Sequence, residues 1–184
     1  MIVYIHGFGS SAQGSKALLL KQIYKEHGFI APSLSYVPDL AIETLKELIE
    51  SFLKYEDVYL MGSSLGEYYA TYLADYFNIP AVLINPAVNA PITLKQALGN
   101  AKNYYDHSTF QWTSNHIKML ERYDVKTIQD NLYMLLAQKG DEVLDYTEAQ
   151  NKFKNSKSFI EEGGNHSFIG IEKYIKEINS FFNV

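Results

Sequence analysis

The amino-acid sequence predicts an α/β fold: a mostly parallel sheet of about six strands, covered by helices on both faces. Short apolar runs recur along the chain, segments with apolar residues at helical spacing separate most of them, and several runs end in glycine or polar turn residues. Parallel strands require long crossover connections, so this alternation favours a parallel sheet. The 184 residues, 47% of them hydrophobic, have the length and composition of one globular domain.

The first half of the chain contains three strand-helix units. Strands are predicted at residues 2–5, at residues 29–36 and at residues 58–61. The apolar faces of the three helices that follow are Ala17, Leu18, Leu20, Ile23 and Tyr24; Ile42, Leu45, Leu48, Ile49 and Phe52; and Tyr68, Tyr69, Tyr72, Leu73 and Tyr76.

The second half contains three further strands and one long interruption. Strands are predicted at residues 79–84, 132–137 and 158–161, and a final helix packs on the sheet with Ile171, Tyr174, Ile175, Ile178, Phe181 and Phe182. About residues 90–127 break the alternation and are rich in aromatic side chains. We interpret this segment as a small helical cap inserted into a single domain of residues 1–184.

The third strand leads into Gly62-Ser63-Ser64-Leu65-Gly66, which matches the G-x-S-x-G pattern of a nucleophile elbow. In such an elbow the serine lies on a sharp turn between a strand and a helix, and the glycines remove side chains that would collide across it. The turn exposes the hydroxyl next to the free amides of the helix. Ser64 is therefore the candidate nucleophile.

A serine nucleophile needs a general base and a carboxylate that orients it. Asp141 follows the fifth predicted strand in Gly140-Asp141-Glu142-Val143, and His166 follows the sixth in Gly163-Gly164-Asn165-His166. The order serine, acid, histidine is that of hydrolases with this elbow, and all three positions lie at the carboxyl edge of the sheet. Asp145 is the nearest alternative acid.

The predicted oxyanion hole consists of the backbone amides of Phe8 and Leu65. Gly7 allows the first loop to approach a substrate, and His6 and Gly7 are candidates for substrate contact. His6 is also expected to brace that loop or, as an alternative, to act as a second base. In the insertion, Tyr104 and Trp112 are candidates for substrate contact, the alternative being that they pack against the sheet edge.

Several segments together resemble the small YqiA-type esterases of the α/β-hydrolase superfamily. They are His6-Gly7-Phe8-Gly9-Ser10-Ser11, the elbow with Glu67-Tyr68-Tyr69-Ala70, Asn85-Pro86-Ala87, Gly140-Asp141-Glu142-Val143, and Gly163-Gly164-Asn165-His166-Ser167-Phe168. The resemblance implies a triad of Ser64, Asp141 and His166 and esterase activity on short acyl esters without a cofactor. The chain departs from the family pattern at Glu67, where a glycine is usual, and at Asn165, where an aspartate is frequent.

The sequence therefore predicts a carboxylesterase-like serine hydrolase that acts on a small-molecule acyl ester. Alternatives on the same fold are a thioesterase, an acyltransferase or a non-catalytic binding protein. Residues 7–12 also match the dinucleotide pattern G-x-G-x-x-[GA], but no carboxylate is placed after the second strand to bind a ribose.

Composition argues against other classes of protein. A net charge of -5 argues against a nucleic-acid partner, and the absence of cysteine excludes thiolate chemistry. No apolar run has the length of a membrane span and no signal peptide is apparent, so a cytoplasmic protein is expected. A metal site is not expected, because Asp106, His107, His116 and Asp124 fit no compact ligand motif.

Overall fold

A computed structural model describes all residues, 1–184. Eight strands and seven α-helices follow in the order β1 Ile2–Ile5, α1 Ser15–Ile23, β2 Phe29–Ile30, α2 Pro38–Leu53, β3 Tyr59–Ser64, α3 Leu65–Phe77, β4 Ala81–Pro86, α4 Ala90–Thr93, β5 Gly99–Lys102, β6 Thr109–Trp112, α5 Ser114–Glu121, β7 Tyr133–Gln138, α6 Tyr146–Lys152, β8 Lys157–Glu161 and α7 Ile175–Phe182. Short 3₁₀ turns lie at Leu94–Ala97, Asp130–Leu132 and Ile171–Tyr174.

The main sheet has six strands in the order β2-β1-β3-β4-β7-β8, and every neighbouring pair is parallel. Successive side chains of a strand point to opposite faces, so each strand supplies two cores. In β7, Leu135 belongs to the core that packs against α2, α3 and α6, whereas Met134 and Leu136 belong to the core beneath α1 and α7. The predicted parallel sheet with helices on both faces is confirmed.

One predicted strand is shorter than expected, and one helix was not predicted. The second strand is only Phe29–Ile30, because Pro32 has no N–H for the ladder and the amide of Leu34 donates instead to the His6 ring. Helix α6 was not predicted from the sequence. Asp145 begins it by accepting a hydrogen bond from the Thr147 amide at 2.9 Å.

The inserted segment contains a β-hairpin as well as helical turns. Strands β5 and β6 pair antiparallel, with Ala101 opposite Phe110. The hairpin packs on the loop after β1, where the Tyr104 amide donates to the Gly9 carbonyl at 2.7 Å. A side chain at Gly9, whose φ is +61°, would collide with the hairpin backbone, so this glycine lets the two loops meet.

The predicted triad and oxyanion residues lie where β1, β3, β7 and β8 end, at the carboxyl ends of parallel strands. Because those ends share one edge of the sheet, residues distant in sequence meet there. At this edge the β3–β4 register shifts between Ser63 and Ser64, where β3 turns into α3. No helix of the chain combines the length and the apolar character that crossing a membrane requires.

Candidate active site

Ser64 occupies a strained backbone position at the junction of β3 and α3. Its φ is 55° and its ψ is -125°, a conformation that residues with a Cβ rarely adopt. The turn is possible because its neighbours are glycines. A Cβ at Gly62 would lie 2.6 Å from the Cα of Glu67, and one at Gly66 would lie 2.7 Å from the carbonyl oxygen of His6.

The structure brings Ser64, His166 and Asp141 together in one hydrogen-bonded series. His166 Nδ1 lies 2.8 Å from Asp141 Oδ2, and His166 Nε2 lies 3.1 Å from Ser64 Oγ. A carboxylate only accepts hydrogen bonds, so Nδ1 carries the proton and Nε2 is left to accept from the serine hydroxyl. This arrangement can remove a proton from Ser64.

The Asp141 carboxylate is held by more than the histidine. Its side chain is 2% exposed, and Oδ1 accepts hydrogen bonds from the amides of Val143 and Leu144 at 2.8 and 2.9 Å. Burial raises the pKa of Asp141, but the bonds from His166, Leu144 and Val143 outweigh burial and hold its pKa below the usual value. The group is therefore ionised at neutral pH. The alternative acid, Asp145, caps α6 instead.

The loop that carries His166 is held by two polar side chains, Asn85 and Gln138, whose roles were not predicted from the sequence. Asn85, at the end of β4, donates from Nδ2 to the carbonyls of Asn165 and His166 at 2.8 and 3.1 Å, and its Oδ1 accepts from the Gln138 amide at 2.9 Å. Gln138 Oε1 accepts from the amides of Asn165 and Ile169, each at 3.1 Å. The signal for both was polarity at the carboxyl end of an otherwise apolar strand.

His6 is engaged at both ring nitrogens. Nδ1 donates to the Gly7 carbonyl at 2.9 Å, and Nε2 accepts from the Leu34 amide at 3.0 Å. Burial lowers the pKa of His6, so the ring is neutral. With neither nitrogen left to take a proton, His6 braces the loop after β1, and the alternative prediction of a second base is wrong.

A cavity of about 620 Å³ opens over Ser64 and is within the size range of small-molecule sites. Its walls include Ser64 and His166 as well as Phe8 and Leu65, the two residues predicted to supply oxyanion amides. The loop after β1 approaches closely, because a Cβ at Gly7 would lie 3.1 Å from the Cβ of Ser64. Leu65 is the first residue of α3, where helix amides have no intrahelical partner.

The two aromatic candidates in the insertion have different positions. Tyr104 lines the cavity and is 71% exposed. Trp112 is 1% exposed, donates from its indole to the Leu94 carbonyl at 3.1 Å, and packs edge-on against Phe8 with ring centroids 4.9 Å apart. The predicted substrate contact of Trp112 is therefore wrong. The indole lies in the core because the hairpin folds over the loop after β1.

Glu67 is buried in α3 and does not line the cavity. Its Oε1 accepts a hydrogen bond from the Thr71 hydroxyl at 2.7 Å, whereas its Oε2 has no hydrogen-bond partner. Burial raises the pKa of Glu67 to about 7, opposed by Thr71 and by the charge of Lys152. The residue therefore acts on the packing of the elbow helix.

Side chains of the kind that bind metals do not cluster in this structure. No three His, Cys, Asp or Glu side chains come together in an arrangement that would hold a metal ion. In particular, Asp106, His107, His116 and Asp124 do not form one site.

Comparison with solved structures shows the fold. Mouse alpha/beta hydrolase domain-containing protein 10 superposes with a TM-score of 0.75 at 18% identity, over 99% of this chain and 89% of that one. Est1E from Butyrivibrio proteoclasticus with bound ferulic acid gives 0.70 at 12% identity, over 99% and 86%. A monoacylglycerol lipase from Paleococcus ferrophilus gives 0.67 at 15% identity, over 98% and 93%. The α/β-hydrolase fold implied by the sequence motifs is confirmed.

Sequence comparison identifies the family. A UPF0227 protein of Vibrio parahaemolyticus is 25% identical over an alignment of 188 positions, covering 100% of this chain and 99% of that protein. A UPF0227 protein of Serratia proteamaculans is 25% identical over 186 residues, covering 98% of each. The model of UPF0227, described as an uncharacterised protein family, matches residues 1–183. The chain therefore belongs to the UPF0227 family.

Proposed function

We propose that this protein is a serine hydrolase that cleaves small acyl esters. The observation that carries the proposal is the series of hydrogen bonds from Asp141 through His166 to Ser64, with distances of 2.8 and 3.1 Å. Those distances are within the reach that proton transfer requires. The names of two structural neighbours, an Est1E with bound ferulic acid and a monoacylglycerol lipase, are consistent with acyl-ester chemistry.

In the proposed first half-reaction, Ser64 Oγ forms a bond to the carbonyl carbon of the ester and its proton passes to His166 Nε2. The bond from that carbon to the leaving oxygen then breaks, and His166 returns the proton to the departing alkoxide. Asp141 keeps the imidazole in the required tautomer and stabilises its positive charge. The products are an alcohol and an acylated Ser64.

In the second half-reaction, His166 takes a proton from water, whose oxygen attacks the acyl carbon. The bond from that carbon to Ser64 Oγ breaks, the serine recovers its proton, and the carboxylic acid leaves. A negatively charged oxygen forms in both halves, and we assign its stabilisation to the backbone amides of Phe8 and Leu65. The position of both residues in the cavity wall supports this assignment.

We propose that the insertion of about residues 90–127 acts as a cap and limits the length of the acyl chain that the cavity accepts. Thr93, Leu94 and Tyr104 from this segment line the cavity above Ser64. A cavity of about 620 Å³ has room for a small ester, so activity should fall as the acyl chain lengthens. A panel of 4-nitrophenyl esters and matched thioesters of increasing length measures both this limit and the preferred bond. A cytoplasmic location and independence of any cofactor stay predictions.

A fluorophosphonate probe tests the nucleophile. The wild type and Ser63→Ala should be labelled, whereas Ser64→Ala should not. Ser63 is the matched control because it carries the same hydroxyl one residue away in the same elbow. Mass spectrometry of the labelled peptide identifies the modified serine.

Loss of a triad member should also lower the rate of ester hydrolysis. Ser64→Ala and His166→Ala should lose about 10⁴-fold or more in kcat on 4-nitrophenyl acetate, as removal of a triad member does elsewhere. Labelling of Ser64→Ala equal to that of the wild type would refute the assignment. A folded wild-type protein that neither reacts with the probe nor hydrolyses any ester of the panel would favour a non-catalytic binding protein.

A further inference from the structure

The cavity over Ser64 contains one lysine and no acidic side chain. Its 23 lining residues include no Asp or Glu, and Lys16 is the single Lys or Arg among them. The whole chain carries 21 acidic and 16 basic residues. In a protein with a net charge of -5, the wall of the cavity over the proposed nucleophile thus carries one basic side chain and no acidic one.

Lys16 lies in the first turn of α1, and its Nζ donates a hydrogen bond to Ser63 Oγ at 2.8 Å. Ser63 directly precedes the proposed nucleophile, and Lys16, Ser63 and Ser64 all line the same cavity. Lys16 is half-buried, and no carboxylate lies within the 4.0 Å that would define an ion pair. Two of its three N–H donors have no protein acceptor.

A partly buried ammonium without a carboxylate partner is costly, and an incoming anion would reduce that cost. The negative charge that raises the pKa of Lys16 is that of Asp141, but this carboxylate already accepts from His166, Val143 and Leu144. The positive charge of Lys16 is therefore available to a ligand.

Near Lys16, the cavity wall also contains neutral side chains that can form hydrogen bonds. Ser10, Ser11, Gln13 and Ser15 line the cavity around the start of α1. The helix has no acidic residue in its first turn and no side-chain cap at Gly14. Its free N–H groups add to the positive potential that Lys16 produces.

We propose that the substrate carries an anionic group, a carboxylate or a phosphate, which Lys16 binds while Ser64 attacks the ester carbonyl. This inference rests on the proposed function and names its substrate class. The competing explanation is that Lys16 is only a positioning residue, which supports the elbow through Ser63.

Charged and neutral esters of similar shape test the proposal. On the alcohol side, 4-acetoxybenzoate and 4-acetoxyphenyl phosphate are compared with methyl 4-acetoxybenzoate, and they distinguish a carboxylate from a phosphate. On the acyl side, the 4-nitrophenyl monoester of adipic acid is compared with 4-nitrophenyl hexanoate. The readout is the ratio of kcat/KM for the anionic ester to that for its neutral counterpart.

The wild type should favour the anionic ester in at least one pair, and Lys16→Met should lower that ratio about tenfold or more, the usual effect of losing a hydrogen bond to a charged group. Lys16→Arg should restore much of it. Ser63→Ala, which removes the hydroxyl partner of Lys16 but leaves the charge, should keep the ratio. An unchanged ratio in Lys16→Met, or equal losses on charged and neutral esters in Lys16→Met and Ser63→Ala, would overturn the proposal.

Binding measured without turnover separates this inference from the proposed function. Calorimetric titration of Ser64→Ala with 4-acetoxybenzoate and with 4-acetoxyphenyl phosphate should show binding of at least one. That binding should be lost in the Ser64→Ala, Lys16→Met double variant. Equal affinity in the two proteins, or no binding to either, would refute the anion site whether or not the wild type hydrolyses esters.

The pH dependence of the ratio is a further readout. Burial lowers the pKa of Lys16 to about 8, with Asp141 opposing the shift. The anionic preference should therefore decline as pH rises from 7 to 9, because Lys16 loses its charge. Besides Asp141, the titratable groups around the cavity are Tyr4, His6, Tyr104, Tyr105 and His166. These groups affect both esters of a pair, so a decline of the ratio that also occurs in Lys16→Met would refute the role of Lys16.

Discussion

Asn85 donates a hydrogen bond from its side-chain amide to the main-chain carbonyl of His166, at 3.1 Å and across 81 residues of sequence. The same amide reaches the Asn165 carbonyl at 2.8 Å. The proposed general base lies on a loop after the last strand of the sheet, and a residue two strands away in the sheet determines where that loop lies. Asn85 is thus a positioning residue that acts through His166.

Asn85→Asp should lower kcat about 10- to 100-fold, with a smaller change in KM. The substitution keeps the shape and tolerates the φ of 40°, but it replaces the amide donor with an oxygen that repels two carbonyls. A displacement of about 1 Å in a catalytic group has an effect of this size. Steady-state kinetics on 4-nitrophenyl acetate separates kcat from KM.

The control is the same substitution at Asn89, which is exposed and donates to Glu148 at 3.0 Å. It should leave both constants close to those of the wild type. A normal kcat in Asn85→Asp would mean that the loop holds His166 without this side chain.

Asp141→Asn should lower kcat about 10⁴-fold without unfolding the protein. An amide in place of the carboxylate can present N–H to His166 Nδ1, which favours the tautomer that cannot accept the Ser64 proton. Asp145→Asn is the matched control, because Asp145 caps α6 and asparagine is an equally good cap. Ester hydrolysis and far-UV circular dichroism should show an inactive folded protein in the first case and a near-normal enzyme in the second.

Glu67 should make the protein less stable as pH rises from about 4.5 to above 7. Its pKa is about 7 in the folded state against 4.5 for the free group, so the unfolded chain ionises first and stability falls until both states are charged. A shift of this size corresponds to about 3 kcal/mol. Glu67→Gln should therefore gain about 3 kcal/mol over the wild type between pH 4.5 and pH 8.

Urea unfolding of both proteins at the two pH values measures this difference, and other titrating groups cancel in the comparison. Glu50→Gln, on the exposed side of α2, is the control for the loss of a carboxylate as such. A constant difference between Glu67→Gln and the wild type across the range would contradict the prediction.

Gly66→Ala should destabilise the protein by about 3 kcal/mol or more, although alanine is the better helix former by about 1 kcal/mol. A Cβ at this position would lie 2.6 Å from the carbonyl carbon of Ile5 and 2.7 Å from the His6 oxygen, so backbone would have to move. Gly163→Ala is the comparison, since its φ is +68° and its Cβ would meet open space. There the cost should be about 1 kcal/mol, from backbone strain alone. Equal midpoints of urea unfolding for the two variants would exclude backbone crowding at Gly66 as the cause.

The amino-acid pattern was enough to predict the fold class and the members of the proposed triad. Apolar runs alternating with amphipathic segments require a covered parallel sheet, and such a sheet gathers its strand ends at one edge. Ser64, Asp141 and His166 each follow such a strand, so their meeting at one edge of the sheet could be predicted from their order along the chain. Those three side chains do lie within hydrogen-bonding distance in the structure.

The residues that surround the triad could not be predicted in this way, because they depend on long-range packing. Asn85 and Lys16 belong to elements remote in sequence from the residues they contact, and local patterns carry no information about such pairings. Trp112 is buried because a hairpin folds over the loop after β1. The sequence predicted a helical insertion there, without a hairpin. The spacing of apolar residues and the preferences of turn residues depend on a few neighbouring positions. The partner of a side chain is instead selected by packing across the whole domain.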